Sequence, residues 1–181
     1  MTTAVAAATW NIDASHSIAE FSVKHMMVST VKGRFGTLEG AIEGDASDPL
    51  SGSVRATIDV ASITTGEPQR DAHLRSDDFF NAEKYPTITF ASKRVERVDA
   101  ENYRVVGDLT IRDVTKEVVL DTEFSGQVAD PWGSQRAGFT ATTQISRGDF
   151  GVNFNGLLET GGVVVGDKVK ITLHIEAVLA A

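Results

Sequence analysis

Apolar and polar residues alternate with a period of two along most of this chain. The pattern recurs in segments 18–28, 53–60, 87–95, 102–112 and 163–177. Successive side chains of a β-strand point to opposite faces of the sheet, so this spacing predicts strands with one apolar and one polar face. A helix would instead require apolar residues three and four positions apart. The chain is therefore predicted to be all-β.

About eight such strands are present, with turn-forming residues between them and no linker or repeat. Antiparallel strands in one domain of 181 residues can form a closed barrel or a sandwich of two sheets. A closed barrel leaves no strand edge exposed, and we therefore predict an eight-stranded antiparallel β-barrel. Residues 10–181 are expected to form this single domain, and residues 1–9 a flexible segment before it.

One stretch, 64–86, does not alternate. Its composition predicts two short helical turns, at 67–75 and 77–83, which together form a helical insert at about 67–83. Pro68 suits the first turn of a helix, because its missing N–H would be unpaired there in any case. Two adjacent phenylalanines follow in the second turn. We expect at least one of their rings to enter the barrel interior, so that the insert covers one end of the barrel.

The charge balance limits the classes of partner. Seventeen basic residues against 25 acidic ones give a formal charge of −8. This balance argues against nucleic acid, whose phosphates require a basic face, and against general attraction to anionic lipid, but it is compatible with a local basic patch. No apolar run approaches the length of a membrane-spanning helix. The N-terminus lacks the charged and apolar regions of a secretory signal, so the expected location is cytoplasmic, or periplasmic or secreted if a leader was removed.

Few groups in the sequence are suited to catalysis or metal binding. Cysteine is absent, and the four histidines, His16, His25, His73 and His174, lack the spacing of a metal-binding pair. The Gly-x-Ser-x-Gly motif of a serine hydrolase is also absent. We therefore predict no metal, no cofactor and no catalytic residue. The alternative is an enzyme acting on a lipid-like substrate, with His16, His25, Arg70, Asp71 and His73 converging at the barrel mouth.

The interior of the predicted barrel can be packed or hollow. Eight strands enclose enough space either for side chains or for one small ligand. Small inward residues leave room that larger ones would fill; they are Ala56, Gly107, Ala141 and Ala177. From the pattern alone, a ligand-binding cavity and a packed stress-response domain without ligand both remain open.

Short motifs follow one another in a fixed order along residues 10–178. They are Trp10-x-Ile12-Asp13-x-x-His16-Ser17, Phe21-Ser22-Val23-Lys24-His25, Val31-x-Gly33-x-Phe35, Thr65-Gly66, Arg70-Asp71-x-His73-Leu74, Asp78-Phe79-Phe80, Tyr85-Pro86, Gly107-Asp108-Leu109-Thr110-Ile111-Arg112, Val114-Thr115-Lys116, Arg147-x-Asp149-Phe150-Gly151 and Val165-Gly166-Asp167-x-Val169. Together they resemble the YceI-like family. The resemblance implies an extended, lipocalin-like barrel that binds a long apolar molecule, typically a polyisoprenoid or an isoprenoid quinone. It implies no shared catalytic residues, and it suggests a homodimer.

On this basis we predict non-catalytic binding, storage or transport of a long lipid of polyisoprenoid or isoprenoid-quinone type. The residues expected to contact it are inward apolar side chains and three polar ones near the mouth. They are Phe21, Val23, Phe35, Ile58, Val60, Leu74, Phe79, Phe80, Phe90, Leu109, Ile111, Phe139 and Leu173, with His25, Arg70 and His73. Arg70, His73 and Arg75 are expected at the opening, where they could meet a pyrophosphate or another polar head group.

Overall fold

The computed structural model describes residues 7–45, 48–156 and 163–181. Its strands are β1 (Ala8–Ile12), β2 (Ile18–His25), β3 (Ser29–Phe35), β4 (Leu38–Asp45), β5 (Asp48–Asp59), β6 (Ile63–Thr64), β7 (Thr87–Arg97), β8 (Asn102–Ile111), β9 (Val114–Ala129), β10 (Gln135–Ser146) and β11 (Val165–Leu179). The described residues also contain one α-helix, α1 (Pro68–Arg75), and two single 3₁₀ turns, Val60–Ser62 and Arg147–Phe150. No helix in these ranges is long and apolar enough to cross a membrane.

The eleven strands occupy only eight positions of a closed antiparallel barrel, because three of these positions are each shared by two consecutive strands. β1 and β2 follow each other along β11, and both pair with it. In the same way β4 and β3 follow each other along the pair β1 and β2, and β5 continues through a 3₁₀ turn into β6. Strands β7 to β11 complete the ring in sequence order. The predicted all-β, eight-stranded barrel is confirmed.

The predicted flexible segment 1–9 lies largely outside the described residues. Its last two residues belong to β1, where Ala8 pairs with Gly44 and Thr9 with Glu43. The barrel strand therefore begins slightly earlier than the sequence pattern indicated.

Glycine allows close packing between β2 and β3. Gly33 lies directly opposite Phe21 in the β2–β3 pair. A Cβ at position 33 would overlap the Phe21 ring, so the ring occupies the space that a side chain would need. The glycine thus leaves room for a large aromatic side chain beside the neighbouring strand.

The insert is a single helix followed by turns. The carboxylate of Glu67 accepts a hydrogen bond from the Gln69 N–H and caps α1, whose first residue is Pro68. After α1 the chain forms hydrogen-bonded turns in place of the second predicted helical turn. Asn81 adopts a left-handed backbone conformation, with φ 48°, and its N–H bonds back to the Ser76 carbonyl at 2.8 Å. A left-handed residue cannot continue a right-handed helix.

Apolar side chains inside the barrel form one cluster at each end. The larger cluster packs Phe79 of the insert against the barrel wall and against Phe150 and Val152. We call this the insert end. The smaller cluster surrounds Trp10, with Ala137 and Ala177, and we call this the Trp10 end.

Candidate ligand-binding cavity

A cavity of about 460 Å³ lies inside the barrel. Its wall extends from Trp10 and Ala137 at one end to Phe80 and Val152 at the other. Protein interiors rarely contain voids larger than a water molecule, and ligand sites typically measure about 300–1,000 Å³. The barrel is therefore hollow, and its cavity is large enough for a ligand. The alternative of a packed stress-response domain required an interior without such a cavity.

Small inward residues account for part of this space. Ala56 and Ala141 lie on the cavity wall, as the pattern indicated. Gly107 and Ala177 do not line it. A Cβ at position 107 would overlap the Ala91 carbonyl oxygen, so this glycine serves the close approach of β7 and β8. Ala177 is fully buried beside Trp10.

Twelve of the 16 residues predicted to contact ligand lie on this wall. They are Phe21, Val23, Phe35, Ile58, Leu74, Phe79, Phe80, Phe90, Leu109, Ile111, Phe139 and Leu173. Val60 does not line the cavity, because it turns into the packed cluster at the start of a 3₁₀ turn and is 2% exposed. Contact of the 12 wall residues with a ligand remains a prediction.

Phenylalanine rings contact one another on the cavity wall at the insert end. The rings of Phe21 and Phe35 are 5.6 Å apart, and Phe80 meets Phe35 edge to face at 5.9 Å. Phe79 is 6% exposed and also borders the cavity. The insert therefore places both of its phenylalanine rings on the cavity wall.

The polar residues predicted at the mouth lie outside the cavity wall. His25 is at the end of β2, opposite Ser29. His73 contacts Asp78 through Nε2 at 2.8 Å, and its ring packs edge to face on Phe79 and Phe154. His73 therefore supports the insert from outside.

Arg70 and Asp71 form a hydrogen-bonded network around Thr65. Arg70 donates from Nε to the Thr65 hydroxyl at 2.7 Å and from Nη2 to the Thr65 carbonyl at 2.9 Å. The buried Asp71 carboxylate accepts from the N–H and the hydroxyl of Thr65. Burial alone would raise the pKa of Asp71, but these hydrogen bonds hold it below its ordinary value. Arg70 does not line the cavity, and its guanidinium joins α1 to the residue that follows β6; contact of Arg70 with a ligand head group remains a prediction.

Arg75 has the same structural role. Its guanidinium donates to the carbonyls of Ala61 and Ile63, which lie at the β5–β6 bend. These bonds join the last turn of α1 to the backbone at this bend. The cations that the sequence suggested for a ligand head group thus bind the protein's own backbone.

The sequence reasoning missed Arg147, which is the one cationic side chain on the cavity wall among the described residues. It is 8% exposed, and four backbone carbonyls accept from its guanidinium. They are those of Val152 (2.8 Å), Phe154 (2.9 Å), Val165 (3.2 Å) and Gly166 (2.8 Å). Burial lowers the pKa of Arg147, and nearby Asp167 opposes this. Arg147 holds two chain segments together across the insert end.

At the Trp10 end, Arg136 lies at the centre of a group of acidic side chains. It donates to Asp13 at 2.9 Å, to Asp130 at 2.8 Å and to Glu176 at 2.6 Å. Asp13, His16 and Glu176 are close enough to share a metal ion. However, both carboxylates of this group already have the Arg136 guanidinium as a cationic partner, and we interpret the group as an ion-pair network. Hydrogen bonds from Ser15, His16 and Arg136 hold the pKa of Asp13 well below its ordinary value.

These positions contradict the arrangement that the enzymatic alternative required. His16 belongs to the Trp10 end, whereas Arg70, Asp71 and His73 belong to the insert. The five proposed acid–base residues therefore do not converge on one mouth.

With this geometry established, comparison with known proteins assigns the family. The sequence matches the model of the YceI-like domain over residues 10–177. The chain belongs to the YceI-like family. A UPF0312 protein of Staphylococcus aureus (strain N315) is 45% identical over 168 residues, which cover 92% of this YceI-like chain and 95% of that protein.

Solved structures confirm the barrel. BcnA from Burkholderia cenocepacia superposes with a TM-score of 0.80 at 26% identity, covering 91% of this chain and 98% of BcnA. A polyisoprenoid binding domain from Saccharophagus degradans, implicated in plant cell wall breakdown, superposes with a TM-score of 0.73. The latter is 17% identical and covers 94% of this chain and 98% of that domain, so its similarity concerns the fold.

Proposed function

We propose that this protein binds a long apolar lipid of the polyisoprenoid or isoprenoid-quinone type inside its barrel, and stores or carries it without changing it chemically. The observation that carries the proposal is the cavity of about 460 Å³, which extends from the Trp10 end to the insert end between apolar side chains. A cavity of this shape favours an extended chain over a compact ligand.

The energetics also favour a long ligand. Burial of apolar surface contributes about 2.5 kcal/mol per 100 Å². Association itself costs roughly 4–15 kcal/mol, so an apolar ligand must bury several hundred Å² before binding becomes favourable. A long hydrocarbon chain reaches this area without specific hydrogen bonds.

The ligand class comes from the family resemblance and is supported by the apolar wall. The barrel from S. degradans shows that this fold can house a polyisoprenoid-binding domain. The wall of this chain supplies aromatic and branched aliphatic side chains, such as Phe35, Phe90 and Leu173. Methyl-branched isoprene units would pack against such a surface through dispersion contacts.

Organic extraction and native mass spectrometry of the purified protein test the proposal. We expect either a bound prenyl lipid or stoichiometric uptake of an added prenyl quinone by the lipid-free protein. A protein that is purified without lipid and takes up no added prenyl lipid would refute the proposal.

A variant that fills the cavity makes the test specific. Ala141 lies on the wall in the middle of β10, so Ala141→Phe should place a ring inside the cavity and abolish uptake. Thr142→Phe is the matched control, because the next residue of the same strand faces the opposite side. Equal uptake by both variants would place the lipid outside the barrel.

A further inference from the structure

The hairpin between β2 and β3 ends in exposed apolar side chains. Met26, Met27 and Val28 are 43%, 63% and 86% exposed, and we call them the hairpin tip. Met26 and Met27 both have positive φ values, 50° and 63°, and the Val28 N–H bonds to the His25 carbonyl at 3.2 Å. A turn of this kind favours Asn-Gly, because a left-handed backbone is unfavourable for residues with long side chains. Local stability does not explain two methionines here, whereas a binding role does.

Basic side chains lie beside this tip on the outer face of β11, β2 and β3. Lys24, Lys32, Arg34 and Lys170 are exposed and alternate with inward residues; we call them the basic patch. Ser22 pairs with Lys32 on one side and with Lys170 on the other. Strand spacing of about 4.8 Å and a rise of about 3.4 Å per residue place the four Cα atoms within roughly 15 Å of one another.

The charge of this patch is positive, because the neighbouring carboxylates have other partners. In the described part of the chain, none of the four basic residues has a carboxylate within ion-pair distance. Glu20 lies opposite Arg34, but its carboxylate is 3.5 Å from His174 Nε2. Asp167 lies next to Lys168 and accepts from Ser146 and from the Gly148 N–H. Among the described residues, a chain with a formal charge of −8 thus presents one face on which cations exceed acidic groups.

The hairpin tip adjoins the insert end of the cavity. The Met26 N–H donates to the Val164 carbonyl at 2.7 Å, and the next residue, Val165, lies on the cavity wall. The Val165 carbonyl accepts from Arg147, which also lines the cavity. The hairpin tip is therefore hydrogen-bonded to the residue that directly precedes a cavity-wall residue.

We propose that the hairpin tip and the basic patch dock the protein on an anionic phospholipid bilayer. The tip enters the boundary between head groups and acyl chains, and the patch lies against the lipid phosphates. Shallow burial of apolar side chains combined with basic residues is a general mode of peripheral membrane binding. This surface goes beyond the proposed cavity ligand, although it would bring the insert end of the cavity close to a source of apolar lipid.

Vesicle co-sedimentation tests the proposal. The full-length protein is mixed with vesicles of phosphatidylcholine containing about 30% phosphatidylglycerol, or with pure phosphatidylcholine, at low and high salt. We expect binding to the anionic vesicles at low salt, and its loss in high salt or on neutral vesicles. Absence of binding to the anionic vesicles at low salt overturns the proposal. The same result is expected if the hairpin tip and the basic patch bind another protein.

Two double variants locate the binding surface. Lys24→Gln/Lys32→Gln should weaken vesicle binding about 25-fold, because each basic residue at an anionic surface contributes about fivefold. Arg104→Gln/Lys116→Gln removes the same charge from β8 and β9, on the opposite side of the barrel, and should change binding little. An equal effect of the two double variants would overturn the proposal.

The tip is tested by Met26→Asn/Met27→Gly. This change supplies the residues that the turn prefers, so thermal stability should be unchanged or higher while vesicle binding falls. Unchanged vesicle binding by this folded variant would refute a role for the tip. Uptake of a prenyl quinone from detergent solution, measured in parallel, reports separately on the cavity: its failure in the wild type would bear on the proposed ligand and leave the docking result intact.

Discussion

Replacement of Phe80 by alanine separates a cavity wall from an ordinary core. Phe80 and Phe79 are adjacent in the insert, and both border the cavity. Phe79 is 6% exposed and packs on His73 and Phe154, with ring centroids 5.0 Å and 5.3 Å away. Phe80 is half-buried and meets Phe35 edge to face. The two residues therefore offer the same chemical change in two environments.

The expected losses of stability differ. Truncation of a buried phenylalanine typically costs about 3–5 kcal/mol, and we expect a loss in this range for Phe79→Ala, because this ring borders the cavity but also packs on two other rings. Atoms that face a cavity have no packing partners on that side and contribute fewer dispersion contacts. For Phe80→Ala we therefore expect about 1–3 kcal/mol, part of it from the edge-to-face contact with Phe35. In a chain of this length each 1 kcal/mol lowers Tm by about 2–4 °C.

Urea unfolding of the lipid-free proteins measures both values, and uptake of a prenyl quinone is measured on the same samples. Phe80→Ala should retain most of its stability but lose affinity for the lipid, because the ring forms part of the wall. If Phe80→Ala costs as much as Phe79→Ala and binds lipid normally, Phe80 is a core residue and the reasoning is refuted.

Three further predictions concern the charged groups. The pKa of Asp13 is lower in the folded than in the unfolded chain, so this group stabilises the fold at pH values above the unfolded pKa near 3.8. This stabilisation is lost as pH falls through the folded pKa. Below about pH 4, the stability of Asp13→Asn should therefore decrease less steeply with falling pH than that of the wild type, as measured by circular dichroism. Arg70→Ala should lower Tm, because the Arg70 guanidinium bonds Thr65, but it should leave the ratio of prenyl pyrophosphate affinity to prenyl alcohol affinity unchanged. A selective loss of pyrophosphate binding would contradict this structural role. Arg147→Met should leave four carbonyls without their donor and lower the free energy of unfolding by several kcal/mol. Amide hydrogen exchange in this variant should be faster in 165–169 than in β8. Equal protection of these two segments would refute the role of Arg147 in holding 165–169.

The sequence by itself determined the strands and the direction of most side chains. Period-two alternation depends only on neighbouring residues, and the pleat converts it directly into faces. For this reason Phe21, Leu109 and Leu173 could be predicted to face inward. Pro68 similarly marked the first residue of α1, because the ring of proline restricts its own backbone.

The tertiary structure alone decided where the polar residues lie. From the sequence, Arg70 and His73 were expected at the mouth, but Arg70 bonds Thr65 after β6 and His73 contacts Asp78 within the insert. Arg147 is held at the cavity wall by carbonyls from two segments, 152–154 and 165–166, and the pairing of β10 with β11 brings the second segment beside it. In the same way the basic patch combines Lys32 with Lys170, which are far apart in sequence and meet across β2. Long-range pairing sets these positions, and a local pattern contains no information about which strands will be neighbours.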